Sequence, residues 1–445
     1  MCIRDSLYTT LSKRSILLLI LGLSVIARLT AALYMGNDVE LLPGTYDQLS
    51  YHNLALRLLD GQGFTFAEPW WPLTRAGAPT AHWSYLYTAY LTVVYALFGP
   101  SPLIARLIQA LAVGLLHPFL AYRIGRLTFD ENTGLVAAGL TAIYTYFIYY
   151  AATLMTEPFY ITAILASLYL LMRLSRKEAK ISWKSGLLLG LLLGIAILLR
   201  QLFVLLVPFF FLWVWLVRYW HDKRVPLLPT IAAGVIILAM ILPFTLYNYS
   251  RFDRFVLLNT NAGFAFFWAN HPIYGNQFEP ILPPEMGTYQ ELIPTELRRL
   301  DEAALDQALL GRAMQFIVEE PGRYLRLSLS RIPPYFMFWP TAESGLVSNI
   351  ARVTSFGLLW PFMLGGLLRA FWRRKLKDIF LHPAFLLLLF GVVYTAIHIL
   401  SWTLIRYRLP VDAAMLIFAA GAVLGLARRL VAGREQRAQV PAIHS

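Results

Sequence analysis

Residues 173–224 read RLSRKEAKISWKSGLLLGLLLGIAILLRQLFVLLVPFFFLWVWLVRYWHDKR. Lys and Arg crowd both ends, and two apolar runs, 185–199 and 201–217, lie between them with Arg200 at the divide. Cytoplasmic loops of membrane proteins collect Lys and Arg. Two such clusters on one side require the chain to cross and return between them, which leaves Arg200 at a tight turn on the far side.

The same punctuation extends in both directions. Lys13-Arg14 precedes the first apolar run, and further clusters stand at Arg123 and Arg126, at 369–377 (RAFWRRKLK) and from Arg428 to Arg437. With each cluster cytoplasmic, the spans fall at about 16–34, 103–122, 133–150, 158–174, 185–199, 201–217, 227–248, 347–368, 380–402 and 409–427. That makes an all-α polytopic membrane protein of about ten transmembrane helices, a single integral membrane domain over 1–445 with both termini cytoplasmic, placed in the cell membrane. Composition agrees: 58% hydrophobic and 14% charged residues, with a mean hydropathy of +0.58, cannot clothe a water-soluble chain of 445 residues. The first run is long for a signal peptide and carries Arg28, so it reads as an uncleaved helix. Residues 82–98, within HWSYLYTAYLTVVYALFG, are apolar too; counting them as a span would break the alternation, so they read as a helix at the outer membrane face or part-way in.

The net charge of +13 does not point to nucleic acid, because the basic residues are dispersed in short clusters with no long basic face. The one cysteine, Cys2, leaves no intrachain disulfide, cysteine metal site or thiol nucleophile in the body of the chain. Residues 35–102, a turn-rich first loop with juxtamembrane helices (one over about 48–59), and residues 249–346, with a charged helix over about 294–320, fall on the outer face and read as lids.

On that face lie Asp47, His82, Glu157, Arg200, Asn270, Arg406 and Arg408, each near the end of an apolar element. Ionisable groups near membrane depth are costly and usually face a cavity or a partner. Asp47, taken alone, reads first as the cap of the helix that follows it and second as a catalytic acid, roles that do not exclude each other, with Tyr51 one turn on over the same face. Glu157 sits where a helix dipole favours a carboxylate; with Asp47 it would suit a base and its partner, or a divalent metal. Arg200, Arg406 and Arg408 break the positive-inside bias and suit an anionic ligand, unless they pair with the carboxylates. No P-loop, HExxH or GxSxG pattern is present, so the chemistry calls for a pre-activated donor such as a lipid-linked phosphate.

The stretch YDQLSYHNLALRLLDGQGF (46–64), with Asp47, Tyr51, Ala55, Gly61, Gly63 and Phe64 in register, resembles the first outer loop of the GT-C glycosyltransferases. The likeness is to the branch of protein O-mannosyltransferases and lipid A aminoarabinose transferases, glycosyltransferase family 39 and relatives. MTEPFY (155–160), GLLLGLLLGIAILLRQ (186–201), TNAGFAFFWANHPIYGN (260–276) and RYRLP (406–410) continue the resemblance along most of the chain. It implies a GT-C-like bundle and an inverting transfer of a sugar from a polyprenyl-phosphate donor to a protein, lipid or glycan acceptor on the outer face. By position, Asp47 would be the base, Glu157 a second acid, Arg200 a donor-phosphate contact and Arg406 and Arg408 further ones, with Tyr51, His82 and Asn270 lining the substrate site. Relatives often carry an Asp-Glu pair where this chain has Asp47-Gln48, and a Pro-Pro stretch, often with Lys, where it has APTAHWSYLY (78–87), with His82 in that Lys's place. No metal ligand and no cofactor is assigned, and a divalent metal stays open. The alternatives are a transporter or flippase of lipid-linked glycans, and a glycan polymerase or ligase.

Overall fold

The computed structural model describes residues 12–42, 44–179, 181–342 and 344–438; the reading of Cys2 lies outside the described residues. Among the described residues the chain is helical, with isolated bridges only at Leu42–Thr45, Thr65–Pro79 and Trp70–Thr74. Helix α1 (Lys13–Met35) leads to a loop segment carrying α2 (Asp47–Leu59) and α3 (Tyr85–Phe98). Then follow α4 (Pro102–Thr128), α5 (Glu131–Ile143), α6 (Thr145–Ala151), α7 (Glu157–Ser175), α8 (Trp183–Leu199), α9 (Val207–Asp222) and α10 (Leu227–Phe252). A second loop segment holds α11 (Ala262–Asn270), α12 (Glu302–Glu319), α13 (Pro321–Ser330) and α14 (Ile332–Tyr335). The chain returns through α15 (Leu346–Arg352), α16 (Leu358–Phe371), α17 (Leu376–Leu381), α18 (Pro383–Leu400) and α19 (Leu409–Ala438).

Among the described residues eight helical segments are long and apolar enough to cross a membrane, and the α5–α6 pair, bent by 56° at Tyr144, makes a ninth if taken as one span. The tenth span drawn from the sequence is α8, whose 17 residues reach about 26 Å at 1.5 Å per residue, short of a ~30 Å hydrocarbon core. The 14-residue α3 reaches only about 21 Å. It starts at Tyr85 because the Ser84 hydroxyl accepts from the Tyr87 amide (3.3 Å), while donating to the Leu198 carbonyl (2.8 Å) near the end of α8.

A membrane helix turns apolar side chains outward and keeps its polar ones for the interior. In α1, Leu18, Leu19, Leu23 and Ile26 are exposed while Ser24, Arg28 and Ala32 are buried. Arg28 spans to the α5–α6 bend, donating to the carbonyls of Thr141 (3.1 Å) and Ala142 (3.0 Å), which a continuous helix would have satisfied internally. Helices α8 and α10 approach more closely still. A Cβ on Gly186 would sit 2.2 Å from the Pro229 carbonyl oxygen, on Gly190 2.6 Å from that of Ala233, and on Gly194 2.4 Å from the Met240 sulfur. Three glycines at four-residue spacing thus present one bare face of α8 to the α10 backbone.

The two loop segments pack on each other at one end of the bundle. The Glu302 carboxylate accepts from Thr74 Oγ1 (2.8 Å), the Ala81 amide (2.7 Å) and Thr260 Oγ1 (2.5 Å), and the Trp71 and Trp268 rings lie 4.9 Å apart. The charged helix expected over 294–320 begins later, at Glu302, because Asp301 caps it by accepting from the Ala304 amide (2.8 Å); residues 294–300 are turns. Asp306 on α12 accepts from the amides of Gly263 (2.7 Å) and Phe264 (3.1 Å), and only glycine fits at 263, where a Cβ would lie 1.8 Å from the Asp306 carbonyl oxygen.

Candidate active site

Four charged side chains from four separate parts of the chain meet at the loop end. Asp47, the first residue of α2, gives Oδ2 to Arg406 Nη1 at 2.5 Å. Arg406 stands in the 3-10 turn Ile405–Arg408 that opens the last span, and its Nη1 also lies 3.7 Å from Glu157 Oε1. Glu157, the first residue of α7 and fully buried, shares that oxygen with Arg200 Nη2 at 2.5 Å. Arg200 ends α8, donates from Nε to Thr156 Oγ1 (3.0 Å) and lies 5.4 Å from the ring centroids of both Tyr160 and Tyr407. The quartet carries two negative and two positive charges.

The local sequence explains these positions. Asp47 does not cap its own helix, as its amide donates to Thr45 Oγ1 (3.2 Å) and its carboxylate turns to Arg406. Nor does Thr156 cap α7, since its hydroxyl accepts from Arg200. Burial raises the Asp47 carboxyl, but the Arg406 charge, hydrogen bonds from Arg406 and Thr45, and the Arg200 charge together outweigh it and hold the group below the usual carboxylate value.

Tyr51 lies one turn from Asp47, buried edge-on against Trp83 and Tyr87 at 5.8 and 4.9 Å. Burial, then the Asp47 charge, push its phenol well above the ordinary value, so it is a hydrogen-bond donor at neutral pH. His82 Nδ1 is 3.3 Å from the Thr260 carbonyl oxygen, and burial lowers the imidazole's pKa against the opposing charges of Glu302 and Asp47. A neutral imidazole at pH 7 does not supply the cation that a lysine would.

Asn270 and Arg408 belong to other networks. Asn270 Nδ2 donates to the Phe266 carbonyl (2.8 Å), and its Oδ1 accepts from Arg331 (2.9 Å) inside the second loop segment. Arg408 is fully buried, bonded to Asp412 (3.0 Å) and to the Tyr335 carbonyl (2.7 Å), with its guanidinium 3.3 Å from the Phe356 ring centroid.

Sequence reasoning passed over the residues that hold the quartet in place. Gln48 Oε1 accepts from the Leu154 amide (2.8 Å), and Gln109 Nε2 donates to the carbonyls of Ala151 (3.0 Å) and Thr153 (2.8 Å), so two buried amides fix the turn that delivers Glu157. Gln48 also donates to the Glu40 carbonyl (3.2 Å), which a carboxylate in its place would not do. The available signal was a polar side chain, Gln109, inside the apolar run 103–122. Among the described residues no three His, Cys, Asp or Glu side chains are grouped to hold a metal ion, and each quartet carboxylate is already neutralised by a guanidinium.

Residues 84–247, less than half of the chain, match the family model described as dolichyl-phosphate-mannose-protein mannosyltransferase. The whole architecture superposes on the archaeal oligosaccharyltransferase AglB from Archaeoglobus fulgidus, in complex with an inhibitory peptide and a dolichol-phosphate, with a TM-score of 0.59 over 97% of this chain at 16% identity. It also superposes on ArnT from Cupriavidus metallidurans bound to undecaprenyl phosphate, with a TM-score of 0.53 over 96% of this chain at 15% identity. The chain has the GT-C fold. Within that fold it spans 52% of the AglB chain and 66% of the ArnT chain, and the likeness is one of fold. No curated protein matches the sequence. In this GT-C bundle the quartet joins the first loop, the start of α7, the end of α8 and the start of the last span.

Proposed function

We propose that the chain is an inverting glycosyltransferase that takes a sugar from a polyprenyl-phosphate donor and passes it to a hydroxyl-bearing acceptor at the outer face of a cell membrane. The observation that carries this reading is the quartet: two carboxylates and two guanidiniums at one end of a GT-C bundle. It is supported by the donor named in the matching family and by the prenyl phosphates bound in AglB and ArnT.

In the transfer, the acceptor oxygen attacks the anomeric carbon from the face opposite the phosphate. The carbon–oxygen bond to phosphate breaks, the proton of the acceptor passes to Asp47, and the prenyl phosphate leaves with the bonding pair. Guanidiniums fixed before the reaction stabilise charge developing on the phosphate oxygens without reorganising. Arg200, held by Thr156 and flanked by two rings, is the better fixed of the two. Glu157 holds Arg200 in position and stands 3.7 Å from Arg406. No step passes through a metal.

The test is incubation of purified protein, in host-lipid extract, with a panel of radiolabelled polyprenyl-phosphate sugars, alongside Asp47→Asn. Consumption of one donor is expected, with the variant slower by about 10²-fold or more, the usual contribution of a general base. Failure to consume any donor by folded protein would overturn the transferase reading.

A further inference from the structure

A base engaged by a guanidinium at 2.5 Å is a poor one, and Asp47 is so engaged. The guanidinium on Oδ2 stabilises the ionised carboxylate and so weakens its pull on an acceptor's proton. The two arginines differ in how firmly they are tied. Arg200 has a short bond to Glu157, an ordinary one to Thr156 (3.0 Å) and two aromatic ring centroids, of Tyr160 and Tyr407, at 5.4 Å. Arg406 has one aromatic ring, Tyr407 at 5.1 Å, and among the described residues its one short hydrogen bond is to Asp47; Glu157 is at 3.7 Å, the Tyr407 hydroxyl at 3.4 Å, and its buried Nε has no hydrogen-bond partner. A planar fork with an idle N–H suits a ligand offering two oxygens, such as a phosphate.

Charge leads the same way. A phosphodiester adds one negative charge to a quartet that is neutral, and without rearrangement it would stand against Asp47 and Glu157 with both cations already occupied. We infer that Arg406 changes partners: it holds Asp47 in the resting protein, and the phosphate of the lipid donor takes it over, releasing Asp47 to serve as the base. The exchange rests on the transfer proposed above and gives it an order, with the base masked until the donor is in place. No covalent bond changes in the exchange itself.

Competition predicts an effect opposite to that expected of a binding residue, since removing the Asp47 charge strengthens the hold on prenyl phosphate. Binding of radiolabelled undecaprenyl phosphate to the full chain in nanodiscs is measured for wild type, Asp47→Asn, Arg406→Gln and the double variant, each checked for folding by thermal unfolding. Asp47→Asn should bind roughly tenfold tighter, the fold-change worth about 1.4 kcal/mol and of the order of one charge-assisted hydrogen bond. The gain should vanish when Arg406 is also replaced. Arg406→Met, which keeps the aliphatic volume, stands in if the glutamine variant fails to fold.

Equal or weaker binding by Asp47→Asn overturns the exchange. A tenfold gain that persists without Arg406 also overturns it, since the carboxylate would then act only through its field. Absence of prenyl-phosphate binding in every folded variant overturns the donor assignment itself, whereas transfer by wild type without the gain leaves that assignment standing.

Discussion

Replacing Glu157 by Gln and Arg200 by Gln, singly and together, tests whether the quartet is one electrostatic unit. Glu157 is fully buried, Arg200 is 17% exposed, and their contact is 2.5 Å. Removing one partner of a buried pair leaves an uncompensated charge, at a cost of about 3–5 kcal/mol. Glu157→Gln sits toward the lower end, about 3 kcal/mol, because Arg200 keeps Thr156 and its two rings. Arg200→Gln leaves Glu157 with Arg406, at 3.7 Å, and the cost is again about 3 kcal/mol. Each single variant leaves the quartet with a net charge, whereas the double variant leaves the neutral Asp47–Arg406 pair intact. The double variant should therefore cost about 3–4 kcal/mol rather than the sum, a coupling of about 2–3 kcal/mol. Equilibrium unfolding in mixed micelles, followed by tryptophan fluorescence, measures all four corners. Additivity within about 0.5 kcal/mol would refute the view that these charges are mutually compensated.

Three further outcomes follow from other parts of the molecule. Gly190→Leu should separate α8 from α10, since even a Cβ there meets the Ala233 carbonyl oxygen at 2.6 Å; a loss of at least about 1–3 kcal/mol is expected, while Gly234→Ala, which meets nothing within 4 Å, should be neutral or slightly stabilising in thermal unfolding. Burial raises the Asp306 carboxyl to about 7, against the two amide bonds it accepts. The folded value exceeds the unfolded one near 3.9, so this group's stabilising contribution is present below about pH 4 and lost as pH rises through about 7; unfolding profiles from pH 4 to 8 should show that decline in wild type and its removal in Asp306→Asn. Prolonged chelation with EDTA should leave donor consumption unchanged, because the quartet's own cations balance its carboxylates; loss of activity restored by a divalent ion would contradict this.

The quartet was legible residue by residue and illegible as a whole. Asp47, Glu157, Arg200 and Arg406 stand out in sequence because charge at the end of an apolar run is costly unless it is used. That the arginines pair with the carboxylates was the alternative the sequence left open, and it is what the structure has; which partner meets which was not legible, since Asp47 and Arg406 are 359 positions apart and meet only through tertiary packing. Arg408, two residues beyond Arg406, looks equivalent in sequence, yet the 3-10 turn directs it to Asp412, four residues on, in the buried interior. That i,i+4 spacing of opposite charges was a readable hint that Arg408 is structural. Asn270 gave no such hint, because its partner Arg331 lies across the second loop segment. The spans were legible from the basic clusters, but the bend between α5 and α6 was not, as it depends on Arg28 arriving from another helix to satisfy the opened carbonyls.

A cluster whose charges cancel within a few ångströms casts little field into the water around it. Dissolved anions, already screened over about 8 Å at physiological salt, gain no long-range attraction toward the quartet, and it cannot gather phosphate or chloride from solution as an open basic cleft would. A ligand anchored by a prenyl tail, as the proposed donor is, would need no such attraction, because a bilayer confines its search to two dimensions. Discrimination against soluble phosphates would then come from the silence of the site toward water.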